Sequence, residues 1–153
     1  MKKRIFAALC ALLLILSLSA CAAKKTTCTL TIACETALTS AELDAETVAA
    51  LPSDGYLLPA TEVEFTDGES VLEVLRRTAQ ERALTLDVVD GEYPYVNAIG
   101  ELAGGSAGPM SGWLFSVNGE YPSVGAADIK VQAGDAIVFS YTCDGGADLG
   151  IVW

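Results

Sequence analysis

The sequence predicts an α+β fold in which a mixed sheet carries one main helix packed across it. Several runs alternate apolar and polar residues with the two-residue period of a strand. One segment has the helical period and begins with a capping box. An Asn-Gly pair between two strand-like runs is typical of a tight hairpin. Strands before and after a single helix bury their apolar residues when that helix covers one face of the sheet.

The start of the chain has the pattern of a secretory signal. Basic residues at positions 2–4 precede an apolar run from 5 to 18, and Leu-Ser-Ala-Cys occupies 18–21. Those last four residues resemble the lipobox of bacterial lipoproteins, in which the signal is cut before a cysteine that carries lipid. On this interpretation Cys21 is the lipidated N-terminus. The alternatives are an uncleaved membrane anchor and an ordinary signal with an incidental cysteine, although the apolar run is short for a spanning helix.

The lipoprotein interpretation divides the chain into a signal peptide (1–20), a lipidated cysteine with a short tether (21–27) and one domain (28–153). The remaining length, roughly 130 residues, is enough for a single domain with its own core. Six extended tether residues reach only about 20 Å. We therefore expect an extracytoplasmic protein held close to the cell membrane through lipid on Cys21.

The domain is strongly acidic and the chain has no histidine. Five of the 9 basic residues and none of the 20 acidic residues lie in the first 25 positions, which leaves a net charge of −16 from residue 26 onward. Such a charge repels phosphates and excludes nucleic acid as a partner. The lack of histidine removes the commonest general base and zinc ligand. No serine or cysteine nucleophile has a histidine to activate it, so we expect neither an enzyme nor a metal site.

One helix and several strands can be placed before the hairpin. Ser70 and Glu73 have the spacing of a capping box and predict a helix over Val71–Ala83 with one apolar face. A short acidic helix or a loop is expected within 35–51, and a loop of small residues over 101–108. Four runs have the composition of strands. They are Cys28–Cys34, Tyr56–Phe65, Leu84–Val89 and Pro94–Ile99.

The last third of the chain predicts a hairpin that presents aromatic side chains. Trp113–Val117 reads as a strand, and Asn118-Gly119 supplies the two positive φ angles of a type I′ turn. Pro122 cannot donate to a ladder, so the return strand ends early or lies at an edge. Ala136–Cys143 alternates again and predicts a final strand.

Three cysteines remain in the domain after the leader, and thiols outside the membrane tend to pair. The first and last strands of such a fold can lie side by side in parallel. Cys34 and Cys143 each follow the apolar face of one of these strands, and neighbouring strands bring Cα atoms to about 4.8 Å, within the disulfide window of roughly 4.4–6.8 Å. We therefore expect a Cys34–Cys143 disulfide, with Cys28–Cys143 as the rival.

From Cys28 to the end, the sequence resembles a bacterial domain family of unknown function that is grouped with the C-terminal domain of transcobalamin and intrinsic factor. The similar segments are CTLTIAC, FTDGESVLEVLRR, SGWLFSVNGEYPSVGAADIKV and AGDAIVFSYTCD. The resemblance implies a β-grasp-like fold and a binding role at the cell surface. In the vitamin carriers the corresponding domain closes over one face of cobalamin, so the resemblance also implies a corrinoid as a candidate ligand.

The hairpin supplies the candidate ligand-binding residues, because aromatic rings beside glycine and proline can form a platform and nearby polar groups can orient a ligand. The candidates are Ser111, Gly112, Trp113, Asn118, Tyr121, Pro122 and Ser123. Core packing is the alternative role for Phe115 and Tyr141, and the turn alone explains Asn118.

We therefore predict a non-enzymatic, lipid-anchored surface protein that binds a small ligand. The vitamin carriers close this domain against a separate helical domain that this chain lacks, so a corrinoid would require a partner subunit. The alternative function is an adhesion or assembly module that contacts another surface protein. A concave apolar pocket around Trp113 and Tyr121 favours a ligand, whereas a flat exposed patch favours a protein.

Overall fold

The computed structural model describes residues 26–152, which contain seven strands, two α-helices and two short 3₁₀ helices. The strands are β1 Thr27–Ala33, β2 Tyr56–Glu64, β3 Leu86–Val89, β4 Tyr95–Ile99, β5 Leu102–Ala103, β6 Gly112–Val117 and β7 Ala136–Thr142. The α-helices are α1 Ala45–Ala50 and α2 Val71–Glu81, and the 3₁₀ helices are Glu35–Thr39 and Ala147–Leu149. The predicted signal peptide and Cys21 lie outside the described residues. Within 26–152, no helix has both the length and the apolar character needed to cross a membrane.

The larger sheet has four strands in the order β2-β1-β7-β6. β1 is antiparallel to β2 and parallel to β7, with Ala33 level with Ser140, while β6 is antiparallel to β7. The expected pairing of the first and last strands is thus confirmed. The α+β class, with mostly strands and one main helix, is confirmed as well.

Helix α2 begins where the sequence predicts and ends two residues earlier. The Ser70 hydroxyl accepts the Glu73 N–H at 3.3 Å, and the Glu73 carboxylate accepts the Ser70 N–H at 2.7 Å, which completes the capping box. At the other end Ala83 turns to a positive φ of 54°, and Leu84 N–H donates to the Ala79 carbonyl. The apolar face of α2 is buried in the main core, together with residues of both sheets.

A second sheet was not predicted. β3, β4 and β5 form an antiparallel sheet in that order, and β5 pairs only with Ala98 and Ile99. β5 occupies part of the segment 101–108 that the small residues indicate as a loop. Two residues are too few to produce an alternating pattern, so the strand leaves no signal in the sequence.

The predicted Cys34–Cys143 disulfide is not formed, because Cys28, Cys34 and Cys143 are all free thiols. The pairing of Ala33 with Ser140 places Cys34 level with Tyr141, two residues before Cys143. Two residues along a strand and one strand across amount to about 8 Å between Cα atoms, beyond the disulfide window. The rival Cys28–Cys143 bridge is also wrong, because Thr29 pairs with Ala136 and Cys28 therefore lies at the opposite end of β7.

Candidate functional site

An apolar groove of about 350 Å³ lies between the two sheets and the segment that follows the hairpin. We call it the aromatic groove. Its walls come from β4, β6 and residues 121–126, and its floor from β7 and the start of α2. The lining residues are Leu72, Pro94, Tyr95, Val96, Trp113, Leu114, Phe115, Tyr121, Pro122, Ser123, Val124, Gly125, Ala126 and Phe139. None of these residues carries a charged side chain.

Ring contacts and hydrogen bonds fix the inner aromatic side chains. Phe115 stacks on Phe139 with ring centroids 5.6 Å apart, and Trp113 meets Tyr141 edge-on at 5.3 Å. The Trp113 indole N–H donates to the Leu102 carbonyl at 2.9 Å, and the Tyr141 hydroxyl donates to the Ala103 carbonyl at 2.9 Å. These bonds connect β6 and β7 to β5 and hold Trp113, a wall residue of the groove, in place. Tyr141 itself is buried, as the core interpretation requires.

The segment 121–126 is held at both ends. Asn118 and Gly119 both have positive φ, at 54° and 84°, and Val117 and Glu120 exchange two 3.0 Å hydrogen bonds across the turn. The hairpin predicted from Asn-Gly is therefore confirmed. At the far end the Ala126 carbonyl accepts the N–H of Leu72 at 3.0 Å. The helix start thus positions the outer wall of the groove.

The structure places the seven candidate ligand-binding residues in two groups. Trp113, Tyr121, Pro122 and Ser123 line the aromatic groove, whereas Ser111, Gly112 and Asn118 do not. The Ser111 hydroxyl donates to the Gly108 carbonyl at 2.8 Å and accepts the Ala107 N–H at 3.0 Å. The Asn118 amide group donates to the Asp135 carboxylate at 2.8 Å and accepts the Ala136 N–H at 2.9 Å. Both polar side chains are engaged in holding loops together.

The wall formed by β4 is not among the residues that the sequence predicts for the site. Tyr95 is 57% exposed at the groove, and its neighbours Pro94 and Val96 also line it. The Tyr-Pro-Tyr run at 93–95 was the available signal, because two aromatic residues flank a proline that can stand only at the start or the edge of a strand.

The aromatic groove can recognise a ligand mainly through its shape and through apolar contacts. Burial raises the pKa of the Cys28 and Cys34 thiols, and hydrogen bonds from Ser70 lower the pKa of Glu73; none of these three residues lines the groove. Within residues 26–152, no cluster of three or more acidic, cysteine or histidine side chains could hold a metal ion. Ser123 provides the one side-chain hydroxyl beside the aromatic rings other than those of the tyrosines.

Comparisons with known proteins support the resemblance that the sequence indicates. Residues 68–143 match the family described as "Domain of unknown function (DUF4430)". The fold is similar to part of haptocorrin, solved in complex with Cbi, with a TM-score of 0.54 and 15% identity over 78% of this chain. The chain spans 25% of the haptocorrin chain.

A Ruminococcus gnavus protein, solved as a candidate metal-binding protein, has a TM-score of 0.45 and 17% identity, with coverage of 77% of this chain and 97% of the other. No curated protein matches. The segment 68–143, which includes α2, the aromatic groove and all of β7, thus matches the DUF4430 family, and the fold is similar to that of part of haptocorrin.

Proposed function

We propose that this protein is a non-enzymatic binding protein whose ligand occupies the aromatic groove. The observation that carries the proposal is a concave, uncharged cavity of about 350 Å³ built around Trp113 and Tyr121. Ligand sites are typically concave and mostly apolar, with few polar groups to set orientation. A flat patch at the same place would have favoured a protein contact.

A corrinoid is one candidate ligand, because haptocorrin was solved with Cbi and part of it has a similar fold. The groove volume of about 350 Å³ is at the lower end of the roughly 300–1,000 Å³ that small-molecule sites span. A groove of this size covers one face of a large flat molecule. The other face would be covered by a partner subunit, so the isolated domain would bind a corrinoid weakly.

The cellular setting belongs to the same proposal. Residues 1–20 would be removed, and Cys21 would carry lipid that anchors the domain (28–153) outside the cell membrane. The strand order β2-β1-β7-β6, with a helix following the first hairpin, supports a β-grasp-like domain. Mass spectrometry of the protein purified from its membrane should show an acylated Cys21 as the first residue; an intact, unmodified N-terminus would contradict the anchor.

Titration of a corrinoid panel into the purified protein tests the ligand. We expect dissociation constants well above the nanomolar range, and Tyr95→Ala should weaken binding about tenfold because it removes an aromatic wall. Tyr93→Ala is the matched control, since Tyr93 is 82% exposed and does not line the groove. Nanomolar binding by the isolated protein would contradict the requirement for a partner subunit. Equal effects of the two substitutions would place the ligand elsewhere.

A second candidate function is an adhesion or assembly module. Val89 and Tyr95 are a cross-strand pair on the β3–β4 hairpin, and both are exposed, at 41% and 57%. With Tyr93 nearby in the same hairpin they give an apolar surface that a protein could cover. Loss of cell-surface complexes in Val89→Lys, with corrinoid binding retained, would favour this function over the first.

A further inference from the structure

The aromatic groove runs along the edge of a sheet. Three consecutive residues of β6, Trp113, Leu114 and Phe115, all line it. The Leu114 side chain points to the opposite face of the strand, where its Cδ1 lies 3.2 Å from the position that a Cβ on Gly146 would occupy. Successive side chains alternate between faces, so a cavity that touches all three residues lies beside the strand, where the backbone is exposed.

The backbone of β6 directs hydrogen-bonding groups into this cavity. Asn118 N–H donates to the Ala136 carbonyl at 2.8 Å, which sets the alternation of the β6–β7 ladder. The backbone N–H and C=O groups of Leu114 and Ser116 therefore point toward β7. Those of Trp113, Phe115 and Val117 point away from it. Glu120 satisfies both groups of Val117. In the part of the chain that the structure describes, no strand pairs with β6 at Trp113 and Phe115 on that side.

The opposite wall is a strand as well. Tyr95 and Val96 belong to β4, which contacts β6 but is part of the other sheet. β5 covers β4 only at Ala98 and Ile99. A backbone lying in the groove along the free edge of β6 would thus have the donors and acceptors of that strand on one side and the apolar side chains of Tyr95 and Val96 opposite. An edge that presents paired N–H and C=O groups is a template for another extended chain.

The charged residues around the groove favour some extended peptide segments over others. The Asp128 carboxylate lies 3.3 Å from the position that a Cβ on Gly125 would occupy, at the rim of the groove, and Glu120 is exposed beside Tyr121. No basic residue lines the groove, and Arg76, Arg77 and Lys130 are each in an ion pair with a carboxylate. The field at the rim therefore favours basic side chains over acidic ones.

We propose that the ligand of the aromatic groove is an extended segment of a partner protein, with basic residues flanking an apolar centre, that adds to β6 as a further strand. The inference rests on the proposed function, since it takes the groove as the binding site and names the class of ligand. Main-chain bonds to Trp113 and Phe115 hold the segment, and its alternate apolar side chains contact the ring of Phe115 and the floor of the groove.

The test uses the purified protein and a capped peptide in which lysines flank an alternating valine–threonine–valine centre. We expect measurable binding, and N-methylation of successive peptide amides should weaken it in alternation, about tenfold or more at every second amide. Hydrogen exchange at the amides of Trp113 and Phe115 should slow at saturation, while that of Leu114 and Ser116, already bonded to β7, should not change.

Protein variants provide the matched comparison. Val124→Lys adds a positive charge at a 51% exposed groove residue and should weaken binding of the lysine peptide about tenfold. Met110→Lys adds the same charge at an exposed residue outside the groove and should leave the affinity unchanged. A glutamate-flanked peptide should bind more weakly than the lysine-flanked one.

Each outcome separates this inference from the proposed function. Tolerance of N-methylation at every amide would overturn strand addition. Failure of the peptides to bind, while a corrinoid or the neutral dye Nile red still binds in a manner sensitive to Tyr95→Ala, would overturn the inference and leave the proposed function standing. If neither peptides nor these probes bind, both are wrong.

Discussion

Cys34 follows the first strand and is fully buried in a small cluster with Ala37, Leu102 and Tyr141. Burial raises the pKa of its thiol from the ordinary 9.0 to about 11. The thiol of the unfolded chain loses its proton above about pH 9, whereas the folded thiol keeps its proton until about pH 11. The stabilising effect is therefore complete below pH 9 and is lost as the pH rises through this window.

We predict that the free energy of unfolding falls by roughly 2 to 3 kcal/mol between pH 9 and pH 11 because of Cys34, since one pKa unit corresponds to about 1.4 kcal/mol. Urea unfolding at several pH values measures it. Cys34→Ala should show a shallower decline, and the remaining slope includes Cys28, whose pKa burial also raises. Parallel curves for the two proteins would contradict the prediction.

At the scale of elements, the start of α2 both stabilises the helix and positions one wall of the aromatic groove. Its capping box stabilises the first turn. The N–H groups of Val71 and Leu72 donate to the carbonyls of Ile129 and Ala126, which fixes the far end of the segment 121–126. The helix therefore supports the aromatic groove without supplying a polar group to it.

Replacement of the cap gives a direct measurement. Ser70→Ala should lower the free energy of unfolding by about 1 kcal/mol, as the loss of an N-cap serine does in other helices, with no change in the denaturant m-value. Ser106→Ala changes an exposed serine that caps no helix and should have little effect. A loss of stability in Ser106→Ala equal to that in Ser70→Ala would show that the cap does not matter.

Elements formed by local interactions could be predicted from the sequence, and those formed by distant ones could not. The turn at Asn118-Gly119 and the helix start at Ser70 depend on residues within four positions of each other, and both are confirmed. The aromatic groove requires Tyr95 to face Trp113 across two separate sheets, an arrangement that neither strand's alternation specifies. The disulfide prediction identified the neighbouring strands correctly but not their register, which only packing determines.

For the whole molecule, the net charge of −16 from residue 26 onward is the dominant electrostatic feature. Mutual repulsion among the carboxylates destabilises the compact state, and salt screens it. We predict that raising NaCl from about 20 mM to about 500 mM increases the free energy of unfolding on the order of 1 kcal/mol, or the Tm by about 4 °C.

Thermal unfolding at each salt concentration measures this effect. A variant that combines Glu62→Gln, Asp67→Asn and Glu92→Gln has three fewer exposed negative charges and should respond less to salt. An equal response of both proteins would mean that salt acts through solvation rather than through charge.

The central strands of the larger sheet, β1 and β7, come from opposite ends of the domain, and they lie side by side in parallel. The middle of the sheet can form only when residues about a hundred positions apart have come together. Closing so long a loop has a high entropy cost, and folding through such distant contacts is slow. A nascent chain on the ribosome therefore cannot complete this sheet before β7 has emerged.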